Sequence, residues 1–213
     1  MGGRSGFFSG GLHGKDDQRG GSPELGAPPL SHQDRPLGGR RITKKGKTMI
    51  EAIVERRSIR SFTPDPVEDP AVDRILTLGT WAPSGLNNQP WKFMVVRDPA
   101  LKGRLAEQTR YSRVILGAPV CIAVFLDNAQ SYDRVKDIQA VGACIQNMLL
   151  AIHEMGLGAV WLGEILKNRA AVEAVLEVPE TCELMAVIAL GHPAEKKRPG
   201  SRKPLADCLL GRK

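Results

Sequence analysis

The run Pro119-Val-Cys-Ile-Ala-Val-Phe-Leu126 most constrains what this 213-residue chain can fold into. It is continuously apolar, with no polar alternate positions. A strand of that kind must be covered on both of its faces. It therefore predicts a central strand with helices laid against either side. Asp133 to Met155 reads as the longest helix, and its centre (Ala140, Val141, Ala143, Cys144, Ile145, Met148, Leu149) is apolar nearly all round, which predicts burial. The small residues Ala140, Gly142, Ala143 and Cys144 would let another helix approach closely, which hints at a dimer interface.

The remaining elements follow in order. Met49 to Arg57 reads as a helix with Ile50, Ile53 and Val54 on one face. Asp69 to Thr80 is a second helix, with Asp69 as candidate N-cap and Pro70 at its first position. Trp91 to Arg97 reads as a strand and Pro99 to Thr109 as a short amphipathic helix. Gly156-Leu157-Gly158 ends the long helix, and a short strand runs from Ala159 toward Ile165. Asn168 to Leu176 is helical, and Glu183 to Leu190 is an apolar strand. Helices alternate with about four strands, so the chain is expected to be an α+β sheet sandwiched by helices.

Residues 1–48 differ in kind. They are rich in Gly, Pro and Ser and hold nine basic and four acidic side chains, so +5 of the net +7 resides there. Such a segment buries too little apolar surface to offset its ordering entropy, and we expect it to be a disordered extension preceding a domain at 49–213. It lacks the apolar core of a secretory signal. No stretch of about 18 apolar residues marks a membrane span. The cysteines (Cys121, Cys144, Cys182, Cys208) form no C-x-x-C pair and read as buried free thiols, as in a reducing, cytoplasmic compartment. The histidines are scattered, without a zinc-binding spacing.

Four segments carry candidate chemistry. Trp81-Ala-Pro-Ser-Gly-Leu-Asn-Asn-Gln-Pro-Trp91 presents Ser84, Asn87, Asn88 and Gln89, which donate and accept without carrying charge. It suits either the edge of a flat heterocycle or a turn bonded to its own backbone. Arg56-Arg57-Ser58-Ile59-Arg60-Ser61-Phe62 puts three arginines at a helix end. Arg56, Ser58 and Arg60 share one face if that segment is extended, which makes either an anion site or a solvated basic helix end. Lys196 to Lys203 is a second basic cluster. The strand end Trp161 to Glu164 contains Gly163, where backbone can approach a flat ring. Neither G-x-G-x-x-G after a strand nor G-x-x-x-x-G-K-[ST] occurs. A phosphorylated, flat, polar heterocycle fits all four segments, and FMN is one.

At these residues the chain resembles the FMN-dependent nitroreductase family. The likeness rests on Arg56 to Phe62, Ala82 to Trp91, Gly156 to Gly163, Leu190 to Pro193 and Ser201 to Leu205, in that order over about residues 49–210. It implies a three-layer α-β-α sandwich with a central, mainly antiparallel sheet, dimeric, with FMN at the subunit interface. It implies cofactor contacts from Arg56, Arg57, Ser58, Arg60, Pro83, Ser84, Gly85, Asn87, Gln89, Leu162, Gly163, Glu164 and Arg202. By the same likeness Arg56 and Arg202 serve the phosphate, and Arg60 serves the pyrimidine end of the ring, where it tunes the flavin. Asn87 reads the ring edge, Pro83 to Gly85 serve the neighbouring subunit's flavin, and Gly163 and Glu164 offer a backbone N–H to N5. No side chain acts as acid or base. Gly200 stands where some members carry Lys, with Lys203 or Arg198 as candidate substitutes. The activity implied is oxidation of NADH or NADPH and reduction of a nitroaromatic or quinone in a ping-pong cycle. A same-fold reductive dehalogenase or flavin-degrading enzyme is the alternative, although Arg97 to Gly117 leaves little room for a lid. A basic nucleic-acid-binding module is the alternative from another class, and the core shows no motif for it.

Overall fold

The computed structural model describes residues 49–195 and 199–213, all within one compact unit, Lys45–Lys213. The expectation for 1–48 lies outside the described residues. The helices are α1 (Met49–Glu55), α2 (Asp69–Thr80), α3 (Pro99–Ala106), α4 (Ser112–Gly117), α5 (Arg134–Glu154) and α6 (Arg169–Val175). The strands are β1 (Trp91–Val96), β2 (Val120–Asp127), β3 (Gly158–Leu162) and β4 (Cys182–Gly191). They form one sheet in the order β1-β2-β4-β3, every pairing antiparallel.

Every residue of β2 is buried, as its composition requires. Val120, Ile122, Val124 and Leu126 face a core built with α2 and α5. Cys121, Ala123 and Phe125 face a second core with α3, α4 and α6. Two cores on one sheet make the three-layer α-β-α sandwich. A register shift between Val124 and Phe125 places a bulge in the β2–β4 pairing.

Several local expectations are corrected. The segment after β1 forms two helices, because Gln108 and Thr109 turn the chain at contacts with Asn168 and Glu164. The N-cap of α2 is Glu68, and Asp69 instead pairs with Arg97 at 2.7 Å. Among the described side chains of α1 Ala52 is buried, while Ile50, Ile53 and Val54 are exposed. At Cys144 the close helix approach on α5 comes from α2 of the same chain: a Cβ on Gly79 would lie 2.6 Å from Met148 Cγ and 3.3 Å from Cys144 Sγ. All four cysteines are free, but only Cys121 and Cys144 are buried. Gly156, at φ 77°, closes α5 in the left-handed conformation that favours glycine.

Candidate active site

The arginine segment is built onto the β3 edge. Beyond α1 the backbone becomes extended, Ser58 bridges Ala159 in parallel, and Ile59 N–H donates to Ala159 O at 2.9 Å. Ile59 is buried against Gly158, whose Cβ would lie 2.8 Å from Ile59 Cβ. Ser58 and Arg60 thus share the exposed side opposite Ile59. Arg56 does not join that alternation: its N–H still bonds Ala52 O in the helical manner, at 2.9 Å, and it lines a cavity with Arg57 and Ile59. Arg60 N–H donates to Glu195 Oε1 at 2.9 Å, and its guanidinium reaches Ser58 O at 3.5 Å. Arg56 is half-buried. Its guanidinium pKa is lowered by burial first, then by the nearby charges of Arg202 and Arg57. Three cations thus converge, and among the described residues none accepts a hydrogen bond from the Arg56 side chain. Convergence of like charge is unfavourable unless an anion joins it.

Arg57 is held more tightly than its sequence position suggests. Its Nη1 donates to Val54 O at 2.6 Å and Arg56 O at 2.8 Å, around the C-terminal end of α1. A Cβ on Gly200 would lie 2.6 Å from Arg57 Cζ. Arg57 therefore occupies the space that a longer side chain at 200 would need. Lys203 is exposed, and Arg198 lies outside the described residues.

The amide loop is a strained turn. Gly85–Asn87 forms a 3-10 turn, and Leu86, Asn87 and Gln89 all have φ near +50° (54°, 54° and 47°). Three non-glycine residues in that region are costly, and such strain clusters at functional sites. Part of the loop is self-bonded: Gln89 N–H donates to Ser84 Oγ at 3.0 Å, and Gln89 Nε2 to Asn87 O at 3.4 Å. Asn88 faces inward and donates to Asp137 Oδ1 at 2.8 Å. Asn87 and Leu86 face out. Gly85 packs directly under Tyr132: a Cβ there would lie 1.9 Å from its hydroxyl oxygen, so any side chain at 85 would make the ring swing aside.

Asp137 is a supporting residue that the sequence reading missed. It is fully buried, and its carboxylate also accepts from Ser131 Oγ, Tyr132 N–H and Asp133 N–H. Burial pushes its pKa up, but the Asn88 and Ser131 hydrogen bonds and the backbone N–H groups outweigh that, and the net direction is down. Its only signal in sequence is a second acid four residues after the α5 N-cap, Asp133.

At the far end of β3, Leu162 is buried and Gly163 is exposed. The nearest atom to a Cβ on Gly163 would be Trp161 Nε1, at 4.0 Å, so a flat group has access there. The Glu164 carboxylate accepts from Lys167 Nζ at 2.5 Å, Thr109 Oγ1 at 2.6 Å and Arg110 N–H at 3.2 Å. The Lys167 hydrogen bond, followed by that from Thr109, lowers its pKa to about 2.

The structure brings Arg56, Arg57, Ser58 and Arg202 together at the start of β3, with Gly163 at that strand's other end. It does not bring the amide turn to them within one chain. Asn88 docks at Asp137, near the start of α5, whereas Arg57 shares a cavity with Ile152 and His153 near its end. At 1.5 Å per residue those positions are about 23 Å apart along the helix.

A family model described as the nitroreductase family matches residues 53–111 and 105–192. The chain belongs to the nitroreductase family. A provisionally named NADH dehydrogenase/NAD(P)H nitroreductase of Methanothermobacter thermautotrophicus is 36% identical over 158 residues, covering 72% of this chain and 81% of that protein. A provisionally named nitroreductase from Desulfovibrio desulfuricans, solved in complex with FMN, superposes with a TM-score of 0.75 at 49% identity, covering 78% of this chain and 98% of that one. NADPH:FMN oxidoreductase from Vibrio harveyi, complexed with NAD+, gives a TM-score of 0.71 at 25% identity, with 78% and 77% covered. This nitroreductase-family chain thus shares the fold and a recognisable part of the sequence of flavin-linked oxidoreductases.

Proposed function

We propose that this chain is an FMN-dependent oxidoreductase that takes electrons from NADH or NADPH and passes them to an electron-poor acceptor, such as a nitroaromatic or a quinone. The observation that carries the reading is that Arg57 packs on Gly200, two residues before Arg202, beside half-buried Arg56, at the segment that bridges the strand ending at open, exposed Gly163. That donor set suits a phosphate at one end and a flat ring at the other. FMN, when bound, supplies the hydride and electron chemistry, and the protein supplies binding and electrostatics.

Arg56, Arg57 and Arg202 would hold the phosphate, with Ser58 beside them. Arg60, exposed near Ser58, would place positive charge toward the ring, where it favours the reduced state. Leu162 would form the wall below the ring. Gly163 and Glu164 would offer backbone N–H groups to the ring edge, and no side chain need act as acid or base. Donor and acceptor would use one open face in turn, a ping-pong cycle.

Pro83, Ser84, Gly85, Asn87 and Gln89 belong to one strained turn far from the arginines of their own chain. We therefore propose that the whole turn, Asn87 included, faces the flavin of a partner subunit in a homodimer. Dividing Asn87 from Pro83–Gly85 would split a single turn between two sites.

To test the reading, the apo full-length chain is titrated with FMN, and the loaded protein is mixed anaerobically with NADH, NADPH and a panel of acceptors. We expect one FMN per chain, bleaching of flavin absorbance by a nicotinamide donor, and reoxidation by nitroaromatics or quinones. Failure to bind FMN would overturn the cofactor assignment. Bleaching that no acceptor in the panel reverses would overturn the acceptor class.

A further inference from the structure

Arg57 and Gly200 fit each other in a way that the family reading does not require. The Arg57 guanidinium lies against the side-chain-free face of Gly200. A Cβ there would be 2.6 Å from Cζ, 2.6 Å from Nε and 2.7 Å from Nη2. No real Cβ tolerates such contacts, so even alanine at 200 must displace the guanidinium or the chain. On its other side Arg57 is pinned by Nη1 to Val54 O and Arg56 O. Among the described residues its Nε is buried without an acceptor, beside a cavity of about 10 Å³, room for roughly one water molecule.

Pro199, Gly200, Ser201 and Arg202 form an exposed strap. Arg202 Nη1 bonds only the adjacent Ser201 O, at 2.7 Å, among the described residues. Contact with the Arg57 plane therefore locates the strap against the end of α1, which brings Arg202 within electrostatic reach of Arg56.

We propose that Arg57, seated on Gly200, is the positioning residue that sets Arg202 and supplies the third positive charge of the anion subsite, so that positions 57 and 200 form one interchangeable unit. The inference rests on the FMN reading and deepens it: the pair selects for the phosphorylated flavin over riboflavin. Arg57 acts through its plane and its charge together. A side chain at 200 therefore disables it, and a cation moved from 57 to 200 replaces it.

The test compares FMN with riboflavin, which lacks the phosphate, by quenching of flavin fluorescence on apo full-length protein. Thermal melting of every variant is measured alongside. Gly200→Ala and Arg57→Ala are each expected to weaken FMN binding about tenfold, the scale of one charge-assisted hydrogen bond, and to leave riboflavin binding unchanged. Gly200→Lys alone should bind FMN more weakly than wild type and than the double variant, because Arg57 still fills the space the lysine stem needs and the two cations displace each other. Arg57→Ala combined with Gly200→Lys should recover most of the lost FMN affinity. Equal loss for both flavins would assign Arg57 a merely structural role and overturn the proposal. So would wild-type FMN affinity in Gly200→Ala, or a double variant no tighter than Gly200→Lys. Arg57→Ala opens space instead of filling it, so it decides the matter if Gly200→Ala does not fold. A wild-type protein that binds neither flavin would overturn the FMN reading itself, a result distinct from all of these.

Discussion

At the scale of single residues, the most consequential groups are those whose partners lie far away in sequence. Asp137 is a charge with no exposed surface, stabilised by four donors from the loop, the α5 N-terminus and Asn88. Asn in its place would keep one acceptor and present an amide to donors. We expect Asp137→Asn to cost about 2–3 kcal/mol at neutral pH. The sign with pH follows from its lowered pKa. The carboxylate's contribution is complete above the unfolded value, near 4, and is lost as pH falls through the lower folded value. Denaturant titrations at pH 7, 4 and 3 should therefore show wild type and variant converging on acidification. A gap that stays constant down to pH 3 would remove the carboxylate from this role.

At the scale of elements, the Glu164 carboxylate ties the end of β3 to the turn between α3 and α4. Sequence reasoning assigned Glu164 a part through its backbone, and the side chain proves to have its own, in contact with Thr109, Arg110 and Lys167. That tie fixes the chain beside Gly163, where backbone geometry matters most. Glu164→Ala should raise amide exchange over residues 107–112 while leaving β2 protected. In wild type the tie is expected to hold above about pH 4.3 and to loosen only as pH falls toward 2, since the folded pKa lies at about 2. Unchanged exchange at 107–112 in the variant would show that the turn is held by other contacts, such as Asn168 Nδ2 to Gln108 O at 2.9 Å.

At the scale of the whole molecule, much apolar surface is left facing out. Ile50 is 72% exposed, Trp81 72% and Leu86 85%, with Leu205 and Leu210 also uncovered. Exposed apolar groups of this kind mark an interaction surface where they form one patch. The distance between the amide turn and the arginines is what motivates the proposed homodimer, in which each site would need both chains. Light scattering of the full chain is expected to give twice 23.1 kDa. Leu86→Glu, at the tip of the turn, should weaken both association and FMN binding. A protein that is monomeric yet binds FMN fully would refute the shared site.

How much was legible beforehand follows from where each signal is stored. The central strand, the buried helix and the boundaries of α2 are local patterns of apolarity and proline, and composition alone determined them. The arginine run was legible in part for the same reason, since alternation along an extended segment is a local property: it holds for Ser58 and Arg60 around buried Ile59, but not for Arg56, whose backbone still belongs to the end of α1. Which of two adjacent asparagines turns inward was not legible, because Asn88 answers to Asp137, on a helix far along the chain. Nor was Gly200 readable as the seat of Arg57. In sequence it was a missing lysine; in the fold it is the space that Arg57 fills. Local propensity specifies elements, but close contacts between distant positions exist only once the sheet has closed and brought α1 against the C-terminal strap.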